Sequence, residues 1–269
     1  DEKKAEDPAI TDNYLDTLAR VRRAGFLDEV RALDRMLEKG MLETGVSRIG
    51  AEQEMFLVNQ ARQPALKALD VLEELDDERF THELGLFNIE ANLPVQALKG
   101  DCLSRMEAEA QDVYAKAREA AHACDSEIVL TGILPTLKKT DLELINMTPN
   151  PRYFALNDAM TRLKGGAYEF YLKGMDELHL HHDSIMVEAC NTSFQVHFQV
   201  GPEEFARRYN IAQVVAAPVL AVAANSPLLF GRRLWSETRI GLFQQAVDTR
   251  ATTPQADERK GRVSFGQRW

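Results

Sequence analysis

The hydrophobic pattern changes period several times along the 269-residue chain, and each change predicts an element. From Ile10 to Leu42 the spacing is helical: Leu15, Leu18, Val21, Val30, Leu33 and Leu37 recur at threes and fours with charges between them. Gly25 divides this stretch, because glycine weakens a helix interior by about 1 kcal/mol, and Gly40 and Gly45 close it. Residues 1–45 therefore read as an N-terminal helical extension and residues 46–269 as the main domain. Over Val46 to Val58 the period falls to two. Glu52, Glu54, Phe56 and Val58 share one side; Ile49, Ala51, Gln53, Met55 and Leu57 share the other. A second strand is predicted from Leu86 to Leu93, where Phe87, Ile89, Ala91 and Leu93 alternate with Asn88, Glu90 and Asn92. Pro94 is expected to end it.

Asp101 to Cys124 reads as an amphipathic helix with Asp101 at its N-cap. Glu127 to Leu134 reads as a short strand stopped by Pro135. Between Met147 and Asp183, Pro149, Pro151, Gly165, Gly166 and Gly174 predict loops and short helices. The clearest strand spans Thr192 to Val200: Phe194, Val196, Phe198 and Val200 form an apolar face, and Ser193, Gln195, His197 and Gln199 a polar one. A helix from Glu203 to Asn225, disturbed at Pro218, and a last helix from Leu234 to Asp248 complete the pattern. Strands separated by helices and carrying one polar face predict an α+β domain built on an antiparallel sheet.

Composition narrows the function. Hydrophobic residues make up 45% of the chain and charged residues 28%, which excludes a disordered or low-complexity chain. Forty-two acidic against 32 basic residues give a net charge of −10, which repels phosphate backbones and disfavours nucleic acid as a partner. Cys102, Cys124 and Cys190 show no CxxC spacing, so a disulfide scaffold is not expected and a reducing compartment is. No signal-like apolar core follows Asp1-Glu2-Lys3-Lys4, and the apolar run Val214 to Ala224 is too short to span a bilayer. The expectation is a cytoplasmic protein with small-molecule substrates, no membrane or nucleic-acid partner, and room for a homo-oligomer.

Chemistry is concentrated in a few places. On a strand, Glu52 and Glu54 point to the same side, about 7 Å apart, and at an effective dielectric near 20 such a pair costs roughly 2–3 kcal/mol. Water, a basic partner or a divalent cation must offset that cost. Glu83 and Glu90 lie seven residues apart, and Gln195 and His197 form a polar pair on a strand with an apolar opposite face. If these strands are neighbours, their carboxylate, amide and imidazole groups meet on one sheet face, a donor set suited to Mg²⁺ or Mn²⁺. In Gly231 to Arg239, a helix would align Trp235 with Arg239 and Arg232 with Ser236, and three arginines offer bidentate grips on phosphate or carboxylate. Arg152-Tyr153 repeats that signal after two prolines. No GxxxxGK[ST] occurs, which disfavours a P-loop nucleotide site.

Five pieces, in order, carry a resemblance: Arg48-Ile49-Gly50-Ala51-Glu52-Gln53-Glu54, the segment Glu83 to Pro94, Arg152-Tyr153, the strand Thr192 to Val200, and Asn225-Ser226-Pro227 through Arg239. Together they resemble the second glutamate–cysteine ligase family, which includes the YbdK-like carboxylate–amine ligases. The resemblance implies a glutamine-synthetase-like fold, a curved antiparallel sheet packed on helices, here with an N-terminal helical extension. It implies ATP-dependent amide formation through an acyl phosphate. Glutamate and cysteine are the leading substrates, giving γ-glutamylcysteine for glutathione biosynthesis, with Mg²⁺ or Mn²⁺ as cofactor.

By the same resemblance Glu52, Glu54, Glu83, Glu90 and His197 are metal ligands and Arg239 is catalytic. Gln195, Arg152, Arg233 and Trp235 are expected to bind substrate or ATP. Two departures stand out: His197 replaces a smaller polar residue, and Tyr168 to Glu188 is richer in charge and histidine than the family pattern. Family members also continue beyond the equivalent of Trp269, with strands that carry a further acidic ligand and an arginine, so the chain is expected to be truncated.

Two other readings compete. A ligase-like domain could serve as a non-catalytic nucleotide or metabolite sensor. His179-Leu180-His181-His182-Asp183 matches HxHxD, a zinc-hydrolase pattern using His179, His181 and Asp183, but Ser184 stands where a further histidine belongs and a polar loop or surface strand is the simpler account.

Overall fold

The computed structural model describes residues 27–164 and 168–246. Two units are distinguished: Asp1–Val46 with Val200–Phe205, and Ser47–Gln199 with Ala206–Trp269. In the first, residues 27–38 form helix α1, on which Leu27, Val30, Leu33 and Leu37 are exposed. Leu15, Leu18, Val21 and Gly25, from the helical reading above, lie outside the described residues, as does the end of the last predicted helix.

The second unit is α+β and centres on strand β1 (Arg48–Val58). Helix α2 (Ala68–Leu75), strands β2 (Phe80–His82) and β3 (Asn88–Ala97), helix α3 (Cys102–Ala123) and strand β4 (Glu127–Val129) follow. Next come helix α4 (Pro151–Lys164), the hairpin β5 (Tyr168–Lys173) and β6 (Glu177–His182), and strand β7 (Phe194–Phe198). Helix α5 (Phe205–Val222), the short hairpin β8 (Leu228–Leu229) and β9 (Arg232–Arg233), and helix α6 (Thr238–Ala246) end the described chain. The main sheet runs β2-β3-β1-β4, all antiparallel, and β7 pairs with the N-terminal half of β1.

Alternation along β1 decides what each sheet face meets. Ile49, Ala51, Met55 and Leu57, with Ile89, Ala91 and Leu93 of β3, pack on Val71 of α2 and Val113 and Ala117 of α3. The opposite face is split. At its C-terminal end Phe56 and Val58 enter a second core with Phe87, Leu137, Phe170, Leu180, Met186 and Leu242. Two residues earlier the same face carries Glu54 and then Glu52, which are only partly buried. Polar and apolar halves of one strand face therefore meet at Glu54 and Phe56.

Several boundaries differ from expectation for identifiable reasons. Strand β3 runs through Pro94 to Ala97, because its ladder with β2 stops at Ala91 and the β1 register shifts at Gly50, where a missing N–H costs nothing. Phe87 precedes β3 and stacks on Phe56 at 6.4 Å, whereas alternation groups it with Ile89. The strand expected to Leu134 stops at Val129. Pro149 and Pro151 do not break the chain: Pro151 opens α4, and Asn150 accepts the Arg152 N–H there. Asp101 sits at the α3 N-cap, but its carboxylate takes a hydrogen bond from Arg105. The apolar residues of β7 do share a face, yet Phe194, Val196 and Phe198 remain exposed. Among the described residues no helix is long and apolar enough to cross a membrane.

Candidate functional site

Three glutamates from three segments converge. Glu54 of β1 lies directly opposite Glu90 of β3 in the antiparallel ladder. Glu83 follows β2, and its loop is pinned by residues 146–148: Thr148 Oγ1 donates to the Glu83 carbonyl at 2.6 Å, and the Leu86 N–H to the Asn146 carbonyl at 2.9 Å. Carboxylate oxygens of Glu54, Glu83 and Glu90 all lie within 4.8 Å of one another.

The surroundings make this cluster costly. Burial pushes the Glu54 carboxyl up from 4.5 to about 7, with the charges of Glu90 and Glu52 adding to the rise. Hydrogen bonds from Ser193 oppose it: the Ser193 N–H donates to Glu54 Oε2 at 2.7 Å and the hydroxyl at 3.1 Å. Burial, then the charges of Glu54 and Glu90, push the Glu83 carboxyl up as well, against one hydrogen bond from the Leu84 N–H. No lysine or arginine is ion-paired with the three among the described residues. Acids that cannot all ionise together, held on two paired strands and a pinned loop and turned to a common point, match the hard oxygen set of a divalent cation.

Around the trio the β7 strand adds amide and imidazole groups. Gln195 Nε2 donates to Glu54 Oε1 at 3.2 Å. His197 Nε2 lies 3.4 Å from Glu52 Oε1, and the two sit on the same sheet face as Glu54, one step towards the start of β1. Glu90 accepts from Asn92 Nδ2 at 3.0 Å. Of the five residues expected to hold metal, the structure gathers Glu54, Glu83 and Glu90, and leaves Glu52 and His197 as an adjoining pair.

The cationic candidates are placed differently. Arg239, at the start of α6, donates to both carboxylate oxygens of Glu237 and to the Thr192 carbonyl at 2.7 Å, just before β7. Burial alone would raise the Glu237 carboxyl, but bonds from Arg239 and Ser226 outweigh it and hold it below its ordinary value. The pair presses against the backbone: a Cβ on Gly132 would stand 2.6 Å from Arg239 Nε. Arg233 grips Asp176 through its N–H at 2.8 Å and its guanidinium at 3.0 and 3.2 Å. Trp235 donates its indole N–H to the Lys173 carbonyl at 2.8 Å. Arg152 is exposed on the first turn of α4. The last helix, expected from Leu234, starts only at Thr238, and the β8–β9 hairpin precedes it, so neither Trp235 with Arg239 nor Arg232 with Ser236 shares a helical face. His179 and His181 lie on the exposed side of β6, and they form no metal-ligand group with Asp183 among the described residues.

Three neighbours of the cluster, His82, Tyr153 and Ser193, were given no role in the site by the sequence, although Tyr153 and Ser193 stand in segments it singled out. His82 Nδ1 and the Tyr153 hydroxyl are 3.1 Å apart, and Asn150 Nδ2 is 3.1 Å from His82 Nε2. Burial and then the charge of Glu83 push the Tyr153 hydroxyl up to about 12, so it keeps its proton, which it donates to the His82 carbonyl at 3.2 Å. Ser193 is the third, and its place on the polar side of the β7 alternation was the available signal. His82 had none, since its role depends on α4 folding back over β2.

In a comparison with known families, the model of glutamate–cysteine ligase family 2 matches residues 48–264. No curated protein matches the chain.

Proposed function

Because the chain belongs to glutamate–cysteine ligase family 2, whose members are ligases joining a carboxylate to an amine, we propose that it phosphorylates the γ-carboxylate of glutamate with ATP and passes the acyl group to the amine of cysteine. The observation that carries this reading is the convergence of Glu54, Glu83 and Glu90 within 4.8 Å on one sheet face.

Glu54, Glu83 and Glu90 would hold Mg²⁺ or Mn²⁺, with Glu52 and His197 beside them for a second ion or for substrate. Bound there, the ion supplies neutralising charge for phosphoryl oxygens. The glutamate γ-carboxylate oxygen bonds to the γ-phosphorus of ATP as the bond to ADP breaks. The amine then attacks the acyl carbon, phosphate leaves, and the amine loses a proton. Ser193 and Gln195 fix the Glu54 carboxylate by three hydrogen bonds, so its orientation is set before substrate arrives. Tyr153 keeps its proton and donates it to the His82 carbonyl at 3.2 Å, bracing the end of β2 just before Glu83. Arg239 acts through Thr192, anchoring the entry to β7 and thereby Ser193, Gln195 and His197.

The test is phosphate release from ATP and Mg²⁺ with a panel of amino acids. Glutamate with cysteine should give the fastest release, and Glu54→Gln or Glu90→Gln should lower it by at least about a hundredfold. Unchanged turnover of those variants at limiting Mg²⁺ refutes the assignment. Binding of ATP with Mg²⁺ but no ADP release with any pair points instead to a sensor.

A further inference from the structure

The β5–β6 hairpin has one buried and one exposed face. Phe170, Leu172, Leu178 and Leu180 point into the core. Tyr171 and His179 sit opposite each other on the outer face, and their rings meet edge to face at 4.6 Å. An open cleft of about 700 Å³ lies against this face. That volume falls within the roughly 300–1,000 Å³ of small-molecule sites.

Its lining has a definite chemistry. Tyr171 and His179 give an aromatic wall, and Phe230 an apolar side. Lys139 and Arg232 border it as exposed cations, and no carboxylate is ion-paired with either among the described residues. The one acid in the lining, Glu177, is bound to Lys173 at 3.0 Å, and nearby Asp176 is already held by Arg233. Two unpaired cations at one cleft stand out on a chain of net charge −10.

The cleft is also held in shape. Gln245 of α6 bonds both the N–H and the carbonyl of Tyr171, at 2.9 and 3.1 Å, fixing the backbone that carries the ring. Phe230 and Gly231 take positive φ of 50° and 74°, a reversed turn that sets Phe230 and Arg232 on the cleft. None of Glu54, Glu83 and Glu90 lines it.

We propose that this cleft is a second, metal-independent site for a nucleoside phosphate, with the base packed on Tyr171 and His179 and the phosphate held by Lys139 and Arg232. A ring with a polarised edge suits the aromatic wall, and a guanidinium paired with an ammonium suits a phosphate dianion. With its single acid engaged, the cleft has no carboxylate set for a divalent cation, so binding needs none. The proposal is independent of the carboxylate cluster and of the ligase reading.

Equilibrium dialysis of the protein against labelled AMP in EDTA tests it, with adenosine and ribose 5-phosphate as competitors. One AMP per chain should bind. Lys139→Ala with Arg232→Ala should weaken it about tenfold or more, and Tyr171→Leu should weaken it less. Glu54→Gln with Glu90→Gln should leave it unchanged, and each competitor should displace AMP less well than AMP itself. Absence of binding in EDTA overturns the proposal. So does binding that ignores the Lys139 and Arg232 changes, binding lost in the glutamate variant, or displacement by ribose 5-phosphate as effective as by AMP. Both lysine and arginine side chains are exposed, so the double variant should fold, and a thermal melt checks that it does.

Discussion

Without a divalent cation, the carboxylate cluster should make the folded chain less stable at pH 8 than at pH 5, and Mg²⁺ should reverse the loss. The Glu54 carboxyl ordinarily ionises near 4.5 and in the fold near 7. Below pH 4.5 it is protonated in both the folded and unfolded states and contributes nothing. Between 4.5 and 7 the unfolded chain gives up its proton while the folded chain keeps it, so stability falls as the pH rises. Above 7 the full cost is present. At about 1.4 kcal/mol per pH unit this amounts to roughly 3 kcal/mol from Glu54, and Glu83 acts in the same direction. Burial is the larger cause, and the neighbouring charges of Glu90 and Glu52 act in the same direction.

For a domain of this size, a change of about 3 kcal/mol moves the melting temperature by roughly 6–12 °C. The assay is scanning calorimetry at pH 5 and 8 in EDTA, repeated with Mg²⁺, on the parent and on Glu54→Gln. The variant supplies the control. His182, whose imidazole is held below its ordinary value by burial, gains stability with rising pH, but equally in both proteins. Asp77 and Asp176, held low by Arg79 and Arg233, stabilise only above their depressed values and are already fully ionised at pH 5. The pH 5 to 8 difference should therefore shrink in Glu54→Gln, and so should the Mg²⁺ effect at pH 8. Identical pH differences in the two proteins, or equal stabilisation of both by Mg²⁺, would refute the reasoning.

Two further outcomes follow from the packing. Arg239→Ala leaves the buried Glu237 carboxylate without its partner and should cost about 3–5 kcal/mol, read as a fall in the urea midpoint. A phosphate contact alone would instead alter turnover without altering stability. Phe56→Ala empties the point where the two halves of the β1 face meet and removes the stacking on Phe87; a loss of about 3–5 kcal/mol is expected by the same measurement.

Period-two alternation was enough to place Glu52 and Glu54 on one face and to set Glu90 on the polar side of β3, because sheet geometry leaves side chains only two directions. What alternation cannot give is which strands are neighbours. The meeting of Glu54 with Glu90 depends on the β1–β3 register, and that of Glu83 on contacts with Thr148, 65 residues away. The arginines show the converse limit. Their residue type suggested anion binding, but charge is satisfied by whatever carboxylate the fold brings nearest, and only the structure reveals Glu237 for Arg239 and Asp176 for Arg233. The β5–β6 hairpin was hidden for another reason: Gly165, Gly166 and Gly174 read as breakers, whereas Gly174 serves the turn that joins its strands.

The position of the cluster explains its chemistry better than its composition does. Had the polar half of the β1 face continued past Glu54, water would have screened the three carboxylates and left them ordinary acids. Instead Phe56 and Val58 turn that face into core within two residues, so Glu54 and Glu83 are desolvated from one side while remaining open on the other. A site built at such a border stores repulsion in the folded state that a cation of charge +2 can release, which couples metal affinity to the same packing that holds the sheet together. On this argument a substitution that loosens the Phe56–Phe87 stack without touching a carboxylate, such as Phe87→Leu, admits water behind Glu54. It should lower the Glu54 pKa towards 4.5 and weaken Mg²⁺ binding together, and a change in one without the other would separate the two effects.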